Sequence, residues 1–351
     1  MAMSATITLL AGCSQALPAA KAPSQGALFV FRMEQTAVVE LSTDGQPVHE
    51  TPLAVPGGCS LDGLHAAPIG VTLAVEFSCS FGQAVALLDT QSGEFKQPIT
   101  DSDSHFMAWQ PDGQAVYLKI DTAARPRIVR IGLDGRQEQV PITELTYDLS
   151  PRPETSDEFL FSFSRGMGLG SEMWHARWGG AVVKQVLADP RSYLSFARWS
   201  PDGRRIAFIK IADTATPFTV GELWVMNADG SGARKLADAD AGHGFAEAWS
   251  PDGQRIAFVV RDNPNERQAD QDAAALRSNI ASANANGGGE TRLTHFEAAR
   301  VEAPDWSPDG EGIAFTAVVD DKMNVYLTNV ASGQEQQVLT VSACCPVWIR
   351  K

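Results

Sequence analysis

The chain has 351 residues, 44% of them hydrophobic, enough for a large buried core. A formal net charge of −14, with no cluster of its 28 Lys and Arg into a basic tail, sets the surface against phosphate backbones and excludes nucleic acid as a partner. After the first dozen residues no apolar run is long enough to span a bilayer.

The N-terminal MAMSATITLLAGCSQ closes a short apolar stretch on Leu10-Ala11-Gly12-Cys13. Small residues directly before a cysteine resemble the lipobox of bacterial lipoproteins, which implies cleavage and lipidation at Cys13. Against that reading, no Lys or Arg precedes Cys13, and the segment is short for a signal peptide. The Ala-, Pro-, Ser- and Gln-rich residues that follow have the composition of a flexible tether. We therefore divide the chain into a signal and tether over 1–25 and one domain over 26–351.

Within that domain one unit recurs. SFARWSPDGRRIAFIK (Ser195 to Lys210) returns as FAEAWSPDGQRIAFVV, as APDWSPDGEGIAFTAV and, earlier, as FMAWQPDGQAVYLKI. Each copy is an apolar strand ending in Trp, a Pro-Asp-Gly turn and an alternating strand. Pro presets φ for the turn, and Gly takes its left-handed position. Two weaker copies follow the same rule around Pro68 and Pro153. The turn prolines Pro68, Pro111, Pro153, Pro201, Pro251 and Pro308 are then 43, 42, 48, 50 and 57 residues apart, close to the roughly 40 to 50 residues of one four-stranded propeller blade. ELWVMNADGSGARKLA and NIASANANGGGETRLT read as third and fourth strands, with a period of two. Asn263 to Ser278 is an insertion read as a loop with one helical turn.

Residues 26 to 54 read as three strands lacking the Trp-Pro-Asp-Gly strand before them. The chain then runs out on ACCPVWIR, with Trp348 placed 42 residues after Trp306. The last strand is therefore expected to become the innermost strand of a blade begun at the N-terminus. The expected fold is all-β, a seven-bladed β-propeller closed by its two chain ends, with six blades as the alternative.

Trp-Ser-Pro-Asp-Gly followed by Ile-Ala-Phe, with Asn-Ala-Asp-Gly downstream, resembles the repeat of TolB-type β-propellers. The resemblance covers nearly everything after residue 55 and is most specific in four units. TolB proteins carry a separate α/β domain ahead of the propeller; here the strands begin at residue 26, so the resemblance implies the propeller without that domain. The same propeller occurs with serine peptidases and in pectate-type lyases, so the repeat does not choose a function.

Five tryptophans (Trp109, Trp199, Trp249, Trp306 and Trp348) are expected between blades, and Asp112, Asp202, Asp252 and Asp309 as turn caps. Function is expected on the face carrying the blade-to-blade loops and the hairpins between second and third strands. That face reads as an acidic rim of Asp101, Asp103, Asp238, Asp240, Glu297, Glu302, Asp320 and Asp321, together with His105, His243 and His295. No His pair has the close spacing of a metal motif, so no cofactor or metal is expected, although His and carboxylates in a funnel could take a divalent cation. A lyase or hydrolase would draw on His105, Arg191, Tyr193, His243, His295 and Arg300. No Gly-x-Ser-x-Gly elbow is present, GMGLGS lacks a following helix pattern, and no catalytic residue is assigned. Cys59, Cys79, Cys344 and Cys345 are expected in disulfides, with three connectivities open. A Cys59–Cys79 bridge is geometrically reasonable; because adjacent cysteines rarely pair comfortably, Cys344 or Cys345 could instead reach Cys59. The expected role is a monomeric scaffold of the bacterial cell envelope, held to a membrane by lipid alone, that binds an envelope protein or extracellular ligand. An accessory sensor and a polysaccharide lyase or hydrolase are the other readings.

Overall fold

In a computed structural model, residues 26–350 are described, apart from 43–44, 56, 99–102, 123–124, 143–144, 156, 179–181, 215, 217–218, 241–245 and 340. Cys13, Asp101 and His243 therefore lie outside the described residues.

The strands form seven four-stranded antiparallel sheets. Six are built from consecutive strands: blade 2 from Cys59 to Lys96, blade 3 from Asp103 to Gln139, blade 4 from Thr146 to Asp189, blade 5 from Ser192 to Asp240, blade 6 from Ala248 to Arg292 and blade 7 from Ala299 to Gln337. Blade 1 takes its innermost strand from the C-terminus. Ala343–Arg350 pairs with Gly26–Arg32, with Trp348 opposite Leu28 and Val347 opposite Phe29. Ala37–Leu41 and Pro47–Pro52 complete that sheet. The expected seven blades and their closure are both present. The insertion of blade 6 carries one 3-10 turn, Ala273–Ala275.

The repeat explains how neighbouring blades lock. Trp199 Nε1 donates to the Ser150 carbonyl, Trp249 Nε1 to Arg198 and Trp306 Nε1 to Ala248, at 3.1, 3.1 and 3.0 Å. Trp109 reaches His65 in the same way at 2.9 Å. Each indole thus fills an apolar gap while its N–H ties it to the preceding inner strand. Trp348 sits in the corresponding place at the seam, but its Nε1 is buried without a partner.

A second stitch runs the other way. Arg152, Arg205 and Arg255 lie over the rings of Trp199, Trp249 and Trp306, with the guanidinium carbon 5.1, 5.2 and 4.9 Å from the ring centres. Each also donates to a turn glycine carbonyl of the next blade, Gly203, Gly253 or Gly310.

The turns behave as read. Ser200 Oγ and the Arg204 N–H both donate to Asp202, and the same pattern recurs at Asp252 and Asp309. In blade 3 the turn glycine Gly113 has φ +70°, and a Cβ there would lie 2.1 Å from the Ile69 carbonyl oxygen. The glycine is therefore required twice, for the bend and for contact with the preceding turn.

Cys59 and Cys79 are bridged across paired strands. Cys344 and Cys345 are bridged to each other, which corrects the expectation that one of them could reach Cys59. Cys59 is already taken by its cross-strand partner. Cys345 has φ +60° beside the register shift in the closing strand pair, so the strand departs from the alternation that points neighbouring side chains apart.

Trp306 is 1% exposed and carries both stitches. Trp306→Ala is expected to cost about 3–5 kcal/mol in urea unfolding, the range for truncating a buried aromatic. Arg255→Ala should cost far less, because its ring contact is partly open to water.

Candidate functional site

Strand direction divides the ring into two faces. The turns between first and second strands lie on one, here the turn face. The blade-to-blade connections and the hairpins between second and third strands lie on the other, the rim face.

On the rim face the structure sorts the expected residues. Glu297, Asp320, Asp321 and His295 are exposed. Asp320 and Asp321 form the tip of the blade 7 hairpin, both with positive φ. Asp238 is held by Lys235 Nζ at 2.6 Å. Asp240 does not belong to the rim: it is 1% exposed and pairs with buried Arg261 at 2.8 Å. Its placement at the end of a fourth strand tucks it behind the blade 6 insertion, whose Asp270 takes Arg261 Nη1 at 2.7 Å. Glu302 lies on the inner strand of blade 7 and accepts from Arg300 at 2.7 Å.

The proposed catalytic set is not gathered. Tyr193 packs edge-on against Tyr147. The exposed side chain of Arg191 is at the start of blade 5, its N–H bonded to Asp189. The His295 N–H donates to Glu335. Each of these residues is engaged in its own neighbourhood, away from the blade 3 site of His105.

His105 lies between two carboxylates, with Nε2 3.1 Å from Asp103 and 3.2 Å from Asp121. These three offer ligand atoms within 4.8 Å of one another, the one such group of His, Cys, Asp or Glu among the described residues. The Gln83 N–H fixes Asp103 at 2.7 Å, and Lys119 Nζ lies 3.1 Å from Asp121. An imidazole with two carboxylates suits a divalent cation, which would have to displace the lysine from Asp121.

The rim also carries apolar groups that spacing alone did not reveal. Nine large hydrophobic residues are exposed among the described residues. Six of them (Met33, Phe81, Leu145, Tyr147, Met167 and Leu169) lie on rim hairpins or at the starts of inner strands. Met167 and Leu169 are 78% and 60% exposed. The loop that carries them is fixed: Ser164 Oγ donates to the Gly170 carbonyl at 2.7 Å, and the Gly170 N–H donates to Asp213 at 2.9 Å.

The central channel holds the other concentration of polar chemistry. A cavity of about 990 Å³ runs along it, lined by the ends of the inner strands and by the turn prolines Pro68, Pro111, Pro153 and Pro201. Acids on its wall or next to its lining residues serve the free edges of inner strands. Asp148 accepts the Ala197 N–H at 2.6 Å and pairs with Arg198 at 3.0 Å; Asp305 accepts the Trp348 N–H at 2.9 Å. Glu247 is 4% exposed, and neither of its oxygens receives a hydrogen bond. Burial pushes its carboxyl up to about 8, opposed by Arg198 and by the nearby amide of its own backbone, and reinforced by Asp148. Loss of solvent likewise moves Asp305 up to about 6, against the pull of the Trp348 amide and of Arg350.

Comparison with known proteins places this architecture. The family model described as the TolB beta propeller domain matches residues 171–344. The Tol-Pal system protein TolB of Anaeromyxobacter dehalogenans (strain 2CP-C) is 34% identical over 116 residues, 32% of this chain and 24% of that protein. The matched segment thus spans about a quarter of that curated relative's length. The crystal structure of TolB from Acinetobacter baumannii superposes with a TM-score of 0.53 at 14% identity, covering 93% of this chain and 67% of that one. An oligogalacturonate lyase in complex with manganese superposes with a TM-score of 0.58 at 16% identity, covering 90% and 86%. At these identities the structural likeness establishes the fold.

The folded chain holds a proton on Glu247 that the unfolded chain has released once pH exceeds the ordinary value of 4.5. Stability from this group is complete below 4.5 and is lost as pH rises through about 8. Glu247→Gln, which keeps the neutral shape, is expected to flatten that part of the pH profile of urea unfolding; an unchanged slope would show that Glu247 is ionised in the folded chain.

Proposed function

We propose that this chain, a TolB-type β-propeller, is a binding scaffold of the bacterial cell envelope that engages a protein partner through its rim face. The observation that carries this reading is the concentration of exposed apolar side chains on that face, six of nine among the described residues. Exposed apolar groups held on ordered loops lose little further entropy when a partner covers them. Glu297, Asp320 and Asp321, exposed on the same face, favour a partner whose contact surface carries basic as well as apolar groups. The Tol-Pal names of its relatives support an envelope setting.

Lipidation at Cys13 fits this arrangement. Gly26 starts its strand on the turn face, beside Pro308. A tether leaving there would set the turn face toward the membrane and leave the rim face outward. The alternative, a polysaccharide lyase or hydrolase, would centre on the group of His105, Asp103 and Asp121, which could take a divalent cation.

A photo-crosslinker at Met167 is expected to capture a distinct polypeptide from native envelopes, and one at Leu133 on the turn face is not. With that partner purified, the paired change Met167→Asp and Leu169→Asp should weaken binding by about tenfold or more, as for central apolar anchors. Added salt should slow association. Equal crosslinking from both faces would sink the reading.

A further inference from the structure

The channel wall contains an unmet binding requirement, and it is independent of the rim face. Arg198 of blade 5 and Glu247, just before the inner strand of blade 6, line the channel, and Asp148 of blade 4, outside that lining, pairs with Arg198. Arg198 is committed to Asp148, to which Nη1 donates at 3.0 Å, and to the Ala197 carbonyl at 2.9 Å. Asp148 uses its second oxygen on the Ala197 N–H. With all three ionised, one guanidinium faces two carboxylates, leaving an uncompensated negative charge at Glu247. Glu247 lines the cavity, is almost fully buried, and has two oxygens that receive no hydrogen bond. A buried carboxylate in that state is costly unless a proton or a cation answers it.

The walls specify the cation. Leu64, Met107, Trp199, Trp249, Val347 and Trp348 line the same cavity, so an entering group meets apolar and aromatic surface on its way to Glu247. Such a path suits an alkyl stem that carries its charge at the far end. A carboxylate is an acceptor only, so the head must donate hydrogen bonds. A bare divalent ion would bring two charges beside the Arg198 guanidinium with one carboxylate to receive it, a poor match to its ligand requirement. A volume of about 990 Å³ lies at the upper end of small-molecule sites.

We propose that the central channel is a binding site for a primary alkylammonium group, whose N–H donors engage the carboxylate of Glu247 while its stem packs on the channel tryptophans. The ammonium belongs either to a free diamine or to a lysine side chain presented by a polypeptide, since the chemistry at Glu247 is the same. Because a raised carboxyl at Glu247 holds a proton when no cation is bound, occupation by a cation displaces that proton to solvent. Arg198 and Asp148 are the charged groups that act on Glu247 from the neighbouring blades, and their mutual pair is retained in the bound state.

Titration calorimetry with the intact chain tests this, using cadaverine and Nα-acetyl-lysine methylamide as probes and the norleucine analogue as a neutral control. Measurements at neutral pH in two buffers of different ionisation enthalpy count the protons released. At least one charged probe is expected to saturate, with net proton release, while the neutral analogue does not. Tighter binding of cadaverine identifies a free diamine as the source; tighter binding of the capped lysine identifies a side chain. Glu247→Gln should weaken the preferred probe by about tenfold or more, the loss of a charge-assisted hydrogen bond, and abolish its proton release. Arg198→Lys, which keeps the charge beside Asp148, should bind with proton release retained. No saturation by either probe into the millimolar range overturns the proposal. So does undiminished binding to Glu247→Gln, or equal binding of the norleucine analogue. None of these results bears on crosslinking at Met167, so the two readings fail separately.

Discussion

The bond from an indole N–H to the carbonyl of the preceding inner strand sets the spacing of the ring. It requires Trp at the end of one inner strand and an accessible carbonyl at the matching place in the blade before it. Four uses, from Trp109 on His65 to Trp306 on Ala248, with blade 4 skipped, fix both the distance between blades and their relative height. Arginines over the rings of Trp199, Trp249 and Trp306 act in the opposite sense around the circle, so those three junctions are held from both sides. Where the repeat lapses, the geometry adapts: Pro151 occupies the tryptophan place in blade 4, and a dense set of Phe159, Phe161 and Phe163 fills the space.

Much of the fold was legible because its determinants are local. A Pro-Asp-Gly turn bends the chain whatever surrounds it, and strand alternation needs only its own residues. The split blade was legible from spacing, since Trp348 keeps the register of the other tryptophans. Determinants that act between repeats were not legible. Arg205 and Arg255 stand at the same offset after Trp199 and Trp249, a regularity present in the sequence, but its purpose appears only when the next blade is in place. Asp240 read as an exposed rim acid because nothing in its neighbourhood announces that Arg261, across the blade boundary, will bury it. The pairing of Cys344 with Cys345 depended on a local departure from regular strand geometry.

The two polar regions differ in kind. Rim carboxylates are mostly solvated or paired, and the information there lies in the apolar side chains between them. Channel carboxylates cap the unpaired amides of inner strands, a structural duty that closing a ring of edge strands creates. Glu247 has the same setting without the duty, which marks it as different from Asp148 and Asp305. Its signal in sequence was a Glu two residues before a repeat Trp, where the corresponding positions hold Leu64, Met107, Leu149 and Ala197.

The pairing of Gly26–Arg32 with Ala343–Arg350 has a mechanical consequence. The strands are antiparallel, and Gly26 is opposite Arg350, so both chain ends leave from the same end of the seam. Tension applied between those ends would peel the hydrogen bonds apart singly, like a zip, instead of shearing them all at once. A load borne by the body of the ring and one end alone would pull along the strand and meet the whole row together. Resistance to force in this molecule therefore depends on where it is gripped.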